Sequence, residues 1–468
     1  MHSPSRTVRL AAALSTLALA LTACTQAQDP TSSTAPSSQQ ESHTTQAADT
    51  QDTKDTQAYL EPFGAAIKEH WPVSGEIWPG VDYTRHVAVV FKLDANDEVQ
   101  QAWAFDTNGS RELTTQEIAG LTPPDAGGYS EGKLGDRTAV FLAINDDTIA
   151  EDPDTTELYR FASHELVHFY HQPNLTGSAE EGSRSESYPI DPAPRVARHM
   201  IYHNLVQALK HPEQREEHLQ HAKFWHEQWK QQFPEEVKGI AWVDIVEGHA
   251  RYIENFLTFQ TADSTPEEIR AGALDNIKEE TFPSADKESY ELGYVAGLLL
   301  DATNPNWKPG FLKENVTPVE KLLAGVTPAE QAVDPAIEKD VQETIADANE
   351  QLAPYMKTLK EAEDDPSVPY LAVDMMASSG SFYSKSFVSY LGKDAVAGFV
   401  GQYALGGGEL SVDDAGVWMA GTEILVPLPK GTQAEGGTLN LDGGKVKAKG
   451  VKVTAETEGG RTVYRAVG

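Results

Sequence analysis

Between residues 25 and 57 the chain contains no Val, Ile, Leu, Met, Phe, Trp or Tyr. A stretch made mostly of Thr, Ser, Gln, Asp and Ala buries too little apolar surface to offset the entropy of ordering it. Residues 24–57 therefore read as an unfolded tether, and any folded body must be built from residue 58 onward. That body has material for a core, since the whole chain is 40% hydrophobic and 8% aromatic. With 37 Lys+Arg against 71 Asp+Glu the formal charge is −34, which excludes nucleic acid as a natural partner because phosphate binding needs a basic surface. The single cysteine, Cys24, leaves no disulfide framework and no thiolate-based structural metal site.

Ahead of the tether, Arg6 and Arg9 precede an apolar run over residues 10–21 that is too short to span a bilayer. The Leu21-Thr22-Ala23-Cys24 sequence that follows resembles a bacterial lipobox. The resemblance implies that residues 1–23 are a signal peptide and that Cys24 carries lipid. The protein is then expected on the extracytoplasmic face of the cell membrane; an ordinary secretory signal is the alternative. Loss of residues 1–23 removes two Arg and no acid, giving 35 − 71 = −36, so lipid rather than charge would hold the protein at an anionic membrane.

From residue 58 to 153 the pattern is α/β. Residues 59–70 have helical spacing, and 86–93, 101–105 and 138–144 read as strands. Residues 154–365 are mostly helical, most clearly over 194–210, 212–233, 234–260 and 287–302. Residues 366–468 turn Gly-rich and alternating, with hairpin turns at 441–445 and 458–461. The expected fold class is α+β: a small N-terminal sheet, a helical part, and a β-rich C-terminal region. Lys430, Lys445, Lys447, Lys449 and Lys452 in that region are expected to guard exposed strand edges.

The chemistry lies in the middle. Residues 158–171 are expected to form a helix containing His164-Glu165-Leu166-Val167-His168. Four residues turn a helix about 40° past a full turn, so both imidazoles share one face and can grip one tetrahedral ion. Glu165 sits beside them, placed to accept a proton. A third ligand is needed. His171 lies on the same helix, but one straight helix rarely supplies three ligands to a tetrahedral ion. Glu247 is the better candidate: a carboxylate among the inward-facing apolar positions of a second expected helix. A buried carboxylate needs a metal or a cation, and Arg251, one turn on, is the other available partner. Ten of the 14 histidines fall between 164 and 249. His199 and His203 repeat the i, i+4 spacing without a base between them, and with His211, His218, His221 and His226 they read as a polar helical face. His249, two residues from Glu247, is turned about 160° from it.

Taken in order, His164-Glu-x-x-His168, Glu247-Gly248-x-Ala250-x-Tyr252 and Ser289-Tyr290-Glu291-Leu292-Gly293 resemble the gluzincin metallopeptidases, and around the site the aminopeptidase N group. The resemblance covers roughly residues 155–300. It implies a zincin-like catalytic domain, Zn2+ held by His164, His168 and Glu247, Glu165 as general base, and Tyr290 as a hydrogen-bond donor to the tetrahedral intermediate. The substrate would be a peptide or protein, and the strand at 138–144 would offer it an edge. Three departures stand out. Glu247 follows His168 by 247 − 168 = 79 residues, a longer interval than in that group. No G-x-M-E-N segment is present to fix a free N-terminus, which favours endopeptidase over exopeptidase action. Where thermolysin-like enzymes carry an orienting acid four residues after the third ligand, this chain has Arg251. The rival reading is a non-catalytic zinc-binding or interaction lipoprotein on the same scaffold; in either case a monomer is expected.

Overall fold

The computed structural model describes residues 45–94, 97–172, 186–375 and 379–467. Cys24, the signal peptide and residues 24–44 of the expected tether lie outside the described residues. The chain within is α+β, with a small sheet near its start and a larger one near its end. No described helix is long and apolar enough to cross a membrane.

Helix α1 (Thr45–His70) starts inside the stretch read as tether. Leu60, Phe63 and Ile67 are buried along its later turns. Once such anchors have nucleated a helix, adding each further residue is inexpensive, so apolar content locates the anchors and not the helix end.

Five strands form the first sheet: β1 (Val87–Leu93), β2 (Val99–Asp106), β3 (Gly109–Glu112), β4 (Tyr129–Leu134) and β5 (Arg137–Ile144), in the order β3-β2-β1-β5-β4. β1 and β5 run parallel, and the other pairs are antiparallel. All seven residues of β1 are buried, as a continuous apolar run requires when both faces of a sheet are covered. Ala88, Val90, Trp103 and Phe105 face the main core, while Val87, Val89 and Phe91 pack under Leu113, Ile118 and Leu121. The expected edge, 138–144, is instead interior: β5 lies between β1 and β4, and β4 is the edge on that side, with β3 the other. Its sequence, Tyr-Ser-Glu-Gly-Lys-Leu, is too polar to read as a strand. Pairing with β5 makes it one, through a two-residue turn in which Gly135 takes φ +61°.

The helical part begins with α2 (Thr156–Leu166), whose first N–H groups at Glu157 and Leu158 donate to the Asp152 carboxylate. The helix expected over 158–171 changes character at Val167, and Val167–His171 form a π-helical turn. There follow α3 (Pro192–Lys210), α4 (Arg215–Gln232), α5 (Pro234–Phe256) and α6 (Ala285–Thr303). Helix α5 opens with Pro234, Glu235 and Glu236, the residue types favoured at a helix N-terminus. Helices α5 and α6 touch backbone to backbone: a Cβ on Gly248 would lie 2.7 Å from Gly293 Cα, and one on Gly293 would lie 2.2 Å from Gly248 Cα. Arg198 of α3, fully buried, ties the pair by donating to Asp244 of α5 at 2.8 Å and Glu288 of α6 at 2.6 Å.

Beyond α7 (Pro335–Asp364), the chain enters the larger sheet through β7 (Tyr370–Asp374), β8 (Ser379–Tyr383), β9 (Ser386–Tyr390), β10 (Lys393–Leu405), β11 (Gly408–Ala420), β12 (Glu423–Pro427), β13 (Thr438–Leu441), β14 (Val446–Glu458) and β15 (Arg461–Ala466). Because β14 also pairs with β11, the path β14-β15-β7-β12-β11 closes into a ring around Leu371, Val412, Val417, Ile424 and Val451. A short strand from the helical part, β6 (Glu186–Ser187), joins β9 in parallel. The lysines read as edge guards have another explanation. β14 is paired on both sides; Lys447 and Lys449 are exposed by alternation, and Lys452 after the alternation shifts by one residue at Gly450, where φ is +68°, while Lys430 and Lys445 pair with Asp365 and Asp414.

Candidate metal centre

Helix α2 and its π turn bring His164 and His168 together, and α5 lays Glu247 across them. His164 Nε2 and His168 Nε2 are 2.9 Å apart; Glu247 Oε2 lies 3.1 Å from the first and 3.2 Å from the second. His164 and Glu247 are buried, and His168 is nearly so. Arg251, the alternative partner for Glu247, turns elsewhere: its Nη1 donates to Glu254 at 2.7 Å, and its Nε lies 3.2 Å from Glu291.

The outer hydrogen bonds assign the ring protons. His164 Nδ1 meets the Glu254 carboxylate at 2.9 Å, so it carries the proton and Nε2 is a lone pair. His168 Nδ1 meets Gln172 Oε1 at 2.7 Å, and the Gln172 amide orientation is set because its Nε2 donates to Val246 O at 2.8 Å. His168 Nδ1 therefore carries a proton too. Two lone pairs and a carboxylate oxygen converge, an arrangement that suits a cation. A tetrahedral ion with bonds of about 2.0–2.1 Å sets its ligand atoms about 3.3–3.4 Å apart, close to the 2.9–3.2 Å edges here. The donor set fits a divalent metal ion.

Without a metal ion, a proton is the remaining way to satisfy the triangle. Burial alone would depress the His164 imidazole, yet hydrogen bonding to Glu247 and Glu254 outweighs it and raises the ring to about 10. Glu254 shows the converse. Burial would raise it, but the charge of Arg251, with His164 and Arg160, holds it down to about 2. Burial raises Glu165 above the ordinary carboxylate range, against the pull of His168 and His164. Its Oε2 is buried with no protein partner, and the Tyr129 side chain of β4 hydrogen-bonds the carboxyl group. The Tyr290 ring stacks on His164 at 5.7 Å and 19°, with the Arg251 guanidinium carbon 5.2 Å from the Tyr290 ring centroid.

His171 is not part of this group. A π turn closes over five residues rather than four, which carries His171 away from His168 and against Tyr83 and His86. Among the described residues no other set of three His, Cys, Asp or Glu ligands converges, the histidines of α3 and α4 included. Sequence reading missed Glu254, Gln172 and Tyr129. Glu254 had a local signal, since it stands seven residues, two turns, after Glu247 on one helix face, and Gln172 is one turn past His168. Arg251, conspicuous as the wrong residue for orienting a histidine, clamps the acid that does so.

The chain is thus an α+β protein with a buried His–His–Glu group able to hold a metal ion. No family model, curated protein or solved structure matches it.

Proposed function

We propose that this chain is a zinc metallopeptidase of the gluzincin kind, on a zincin-like catalytic domain, that cleaves internal peptide bonds. The observation that carries the reading is the proton accounting: His164 and His168 each offer a lone pair beside the Glu247 carboxylate, with Glu165 buried alongside. Zinc is the divalent ion that two imidazoles and one carboxylate most often hold in hydrolases, and when bound it supplies a Lewis acid.

The chain's own groups do the rest. Glu165, whose burial favours its protonated form, takes a proton from the attacking water and returns it to the amine nitrogen as the C–N bond breaks. Tyr290, on the same side as His164, donates to the carbonyl oxygen as it gains charge. The open edge of β4 suits an extended peptide. Leu134 and Arg137 close the hairpin, so Tyr129, Glu131 and Lys133 turn their backbone groups away from β5. Tyr129 also reaches Glu165, so that edge and the base are neighbours. A lipid on Cys24 would hold the enzyme at the outer face of the membrane.

The test is zinc content and peptide hydrolysis for the wild type, His164→Ala, Glu247→Ala and Glu165→Gln. One zinc per chain, lost in the first two variants, with hydrolysis abolished and zinc kept in the third, supports the reading. Full zinc in Glu247→Ala breaks the ligand set, and hydrolysis at the wild-type rate in Glu165→Gln breaks the mechanism.

A further inference from the structure

Three residues beyond His168, at the end of the same π turn, a second pair of imidazoles meets tip to tip. His86, buried just ahead of β1, and His171, half-buried, face each other through Nε2 atoms 3.3 Å apart. Both rings are clamped. Tyr170 stacks on His86 at 4.7 Å and 16°, and Tyr83 stacks on His171 at 5.5 Å and 19°. The clamps are fixed in turn. The Tyr83 hydroxyl donates to Ser163 O, and the Tyr170 hydroxyl shares its one proton between Ala139 O at 2.8 Å and Gly132 O at 3.0 Å across the β4–β5 hairpin. His86 Nδ1 is occupied by Thr138 Oγ1 at 2.6 Å.

Burial lowers His86 to about 4, helped by His171, Arg85 and Arg137 and opposed by Asp82; burial lowers His171 to about 4, again opposed by Asp82. At neutral pH both rings are uncharged, the form in which imidazole binds metals. The contact is an imidazole–imidazole hydrogen bond when one Nε2 carries a proton; with the His86 proton on the Thr138 side and the His171 proton on Nδ1, both Nε2 lone pairs face one gap. Its 3.3 Å width is the spacing of about 3.3–3.4 Å that tetrahedral zinc requires of two ligand nitrogens.

We propose that His86 and His171 form a second site, for a zinc-class divalent cation held by two imidazole nitrogens and completed by water. Late first-row divalent ions suit such nitrogen ligands. The Asp82 charge, felt by both rings, favours the cation. With two protein ligands instead of three, the site is the weaker of the pair. Its ligands come from the residue just ahead of β1 and from the turn that carries His168, so a bound ion would pin that turn to the sheet.

Zinc is titrated calorimetrically into metal-free full-length protein, as wild type and as His164→Ala, His171→Phe and His86→Gln variants. The expected result is two classes of binding in wild type. His164→Ala loses only the tighter class, and His171→Phe and His86→Gln lose only the weaker. Phenylalanine keeps the stack on Tyr83 and removes both nitrogens; retention of the tighter class and an unchanged circular dichroism spectrum show that the variant is folded. A single class in wild type that His164→Ala abolishes, or a weaker class that survives His171→Phe, overturns the second site. A wild type that shows only the class abolished by His171→Phe and His86→Gln would sink the peptidase reading and leave this one standing.

Discussion

Replacing Gly293 by Ala tests whether the close crossing of α5 and α6 builds the metal centre. Alanine is the better helix former by about 1 kcal/mol, so with room to spare the change would stabilise. Space is lacking: the new Cβ would fall 2.2 Å from Gly248 Cα and 2.9 Å from Gly248 C. Ordinary carbon contacts begin near 3.5 Å, so the helices must part by about 1 Å. Backbone cannot step aside as a side chain can, and overpacking of this kind costs about 1–3 kcal/mol or more. Glu247 adjoins Gly248 on α5, and Tyr290 lies one turn before Gly293 on α6. Parting the helices therefore moves Glu247 against ligands on α2, and a 1 Å misplacement is enough for a loss of about 100-fold in activity. Gly297→Ala is the control, since the three atoms nearest its Cβ belong to a side chain and not to backbone, the Tyr252 ring at 2.5–3.5 Å. Calorimetric melting and zinc titration of both variants provide the assay. Gly293→Ala should melt several degrees lower and bind zinc more weakly, with Gly297→Ala less affected. An unchanged or raised melting temperature with full zinc affinity for Gly293→Ala would refute the reasoning.

Other outcomes follow from the same contacts. Glu254→Gln, which weakens the acceptor for His164 Nδ1, should reduce zinc affinity about 10–100-fold without removing a ligand, as read by competition with a chromogenic chelator. Gln172→Leu leaves the His168 Nδ1 proton and Val246 O without their partner and should lower both zinc affinity and stability, the latter by about 1–3 kcal/mol. Burial holds His199 and His226 down to about 4, against an ordinary 6.5. The unfolded chain therefore binds more protons than the folded one below pH 6.5, so stability falls as pH drops from there toward 4. Chemical denaturation at pH 7 and pH 5 checks the sign, and His226→Phe should flatten the slope. Zinc binding must displace the proton that the metal-free His164 holds below about pH 10, and calorimetry in buffers of different ionisation enthalpy should register its release.

The sequence alone determined what depends on spacing along one helix. The four-residue interval puts His164 and His168 on a shared face wherever that helix lies, and an acid among inward-facing apolar residues marks Glu247 as needing a positive partner. Apolar periodicity likewise located three of the five strands before residue 153, β1, β2 and β5, and the helices α3 to α6 after it. Tertiary structure decided what depends on which segments meet. Glu254 reaches His164 across 90 residues only because α5 lies against α2, and Arg251 and Arg160 hold its charge there. The π turn that separates His171 from the ligands breaks the helical periodicity that made it look like one. The edge strand was illegible for a similar reason. An edge is a position in the order of a sheet, and polar β4 occupies it only by pairing with β5, whose own apolar sequence gives no sign of a neighbour on that side.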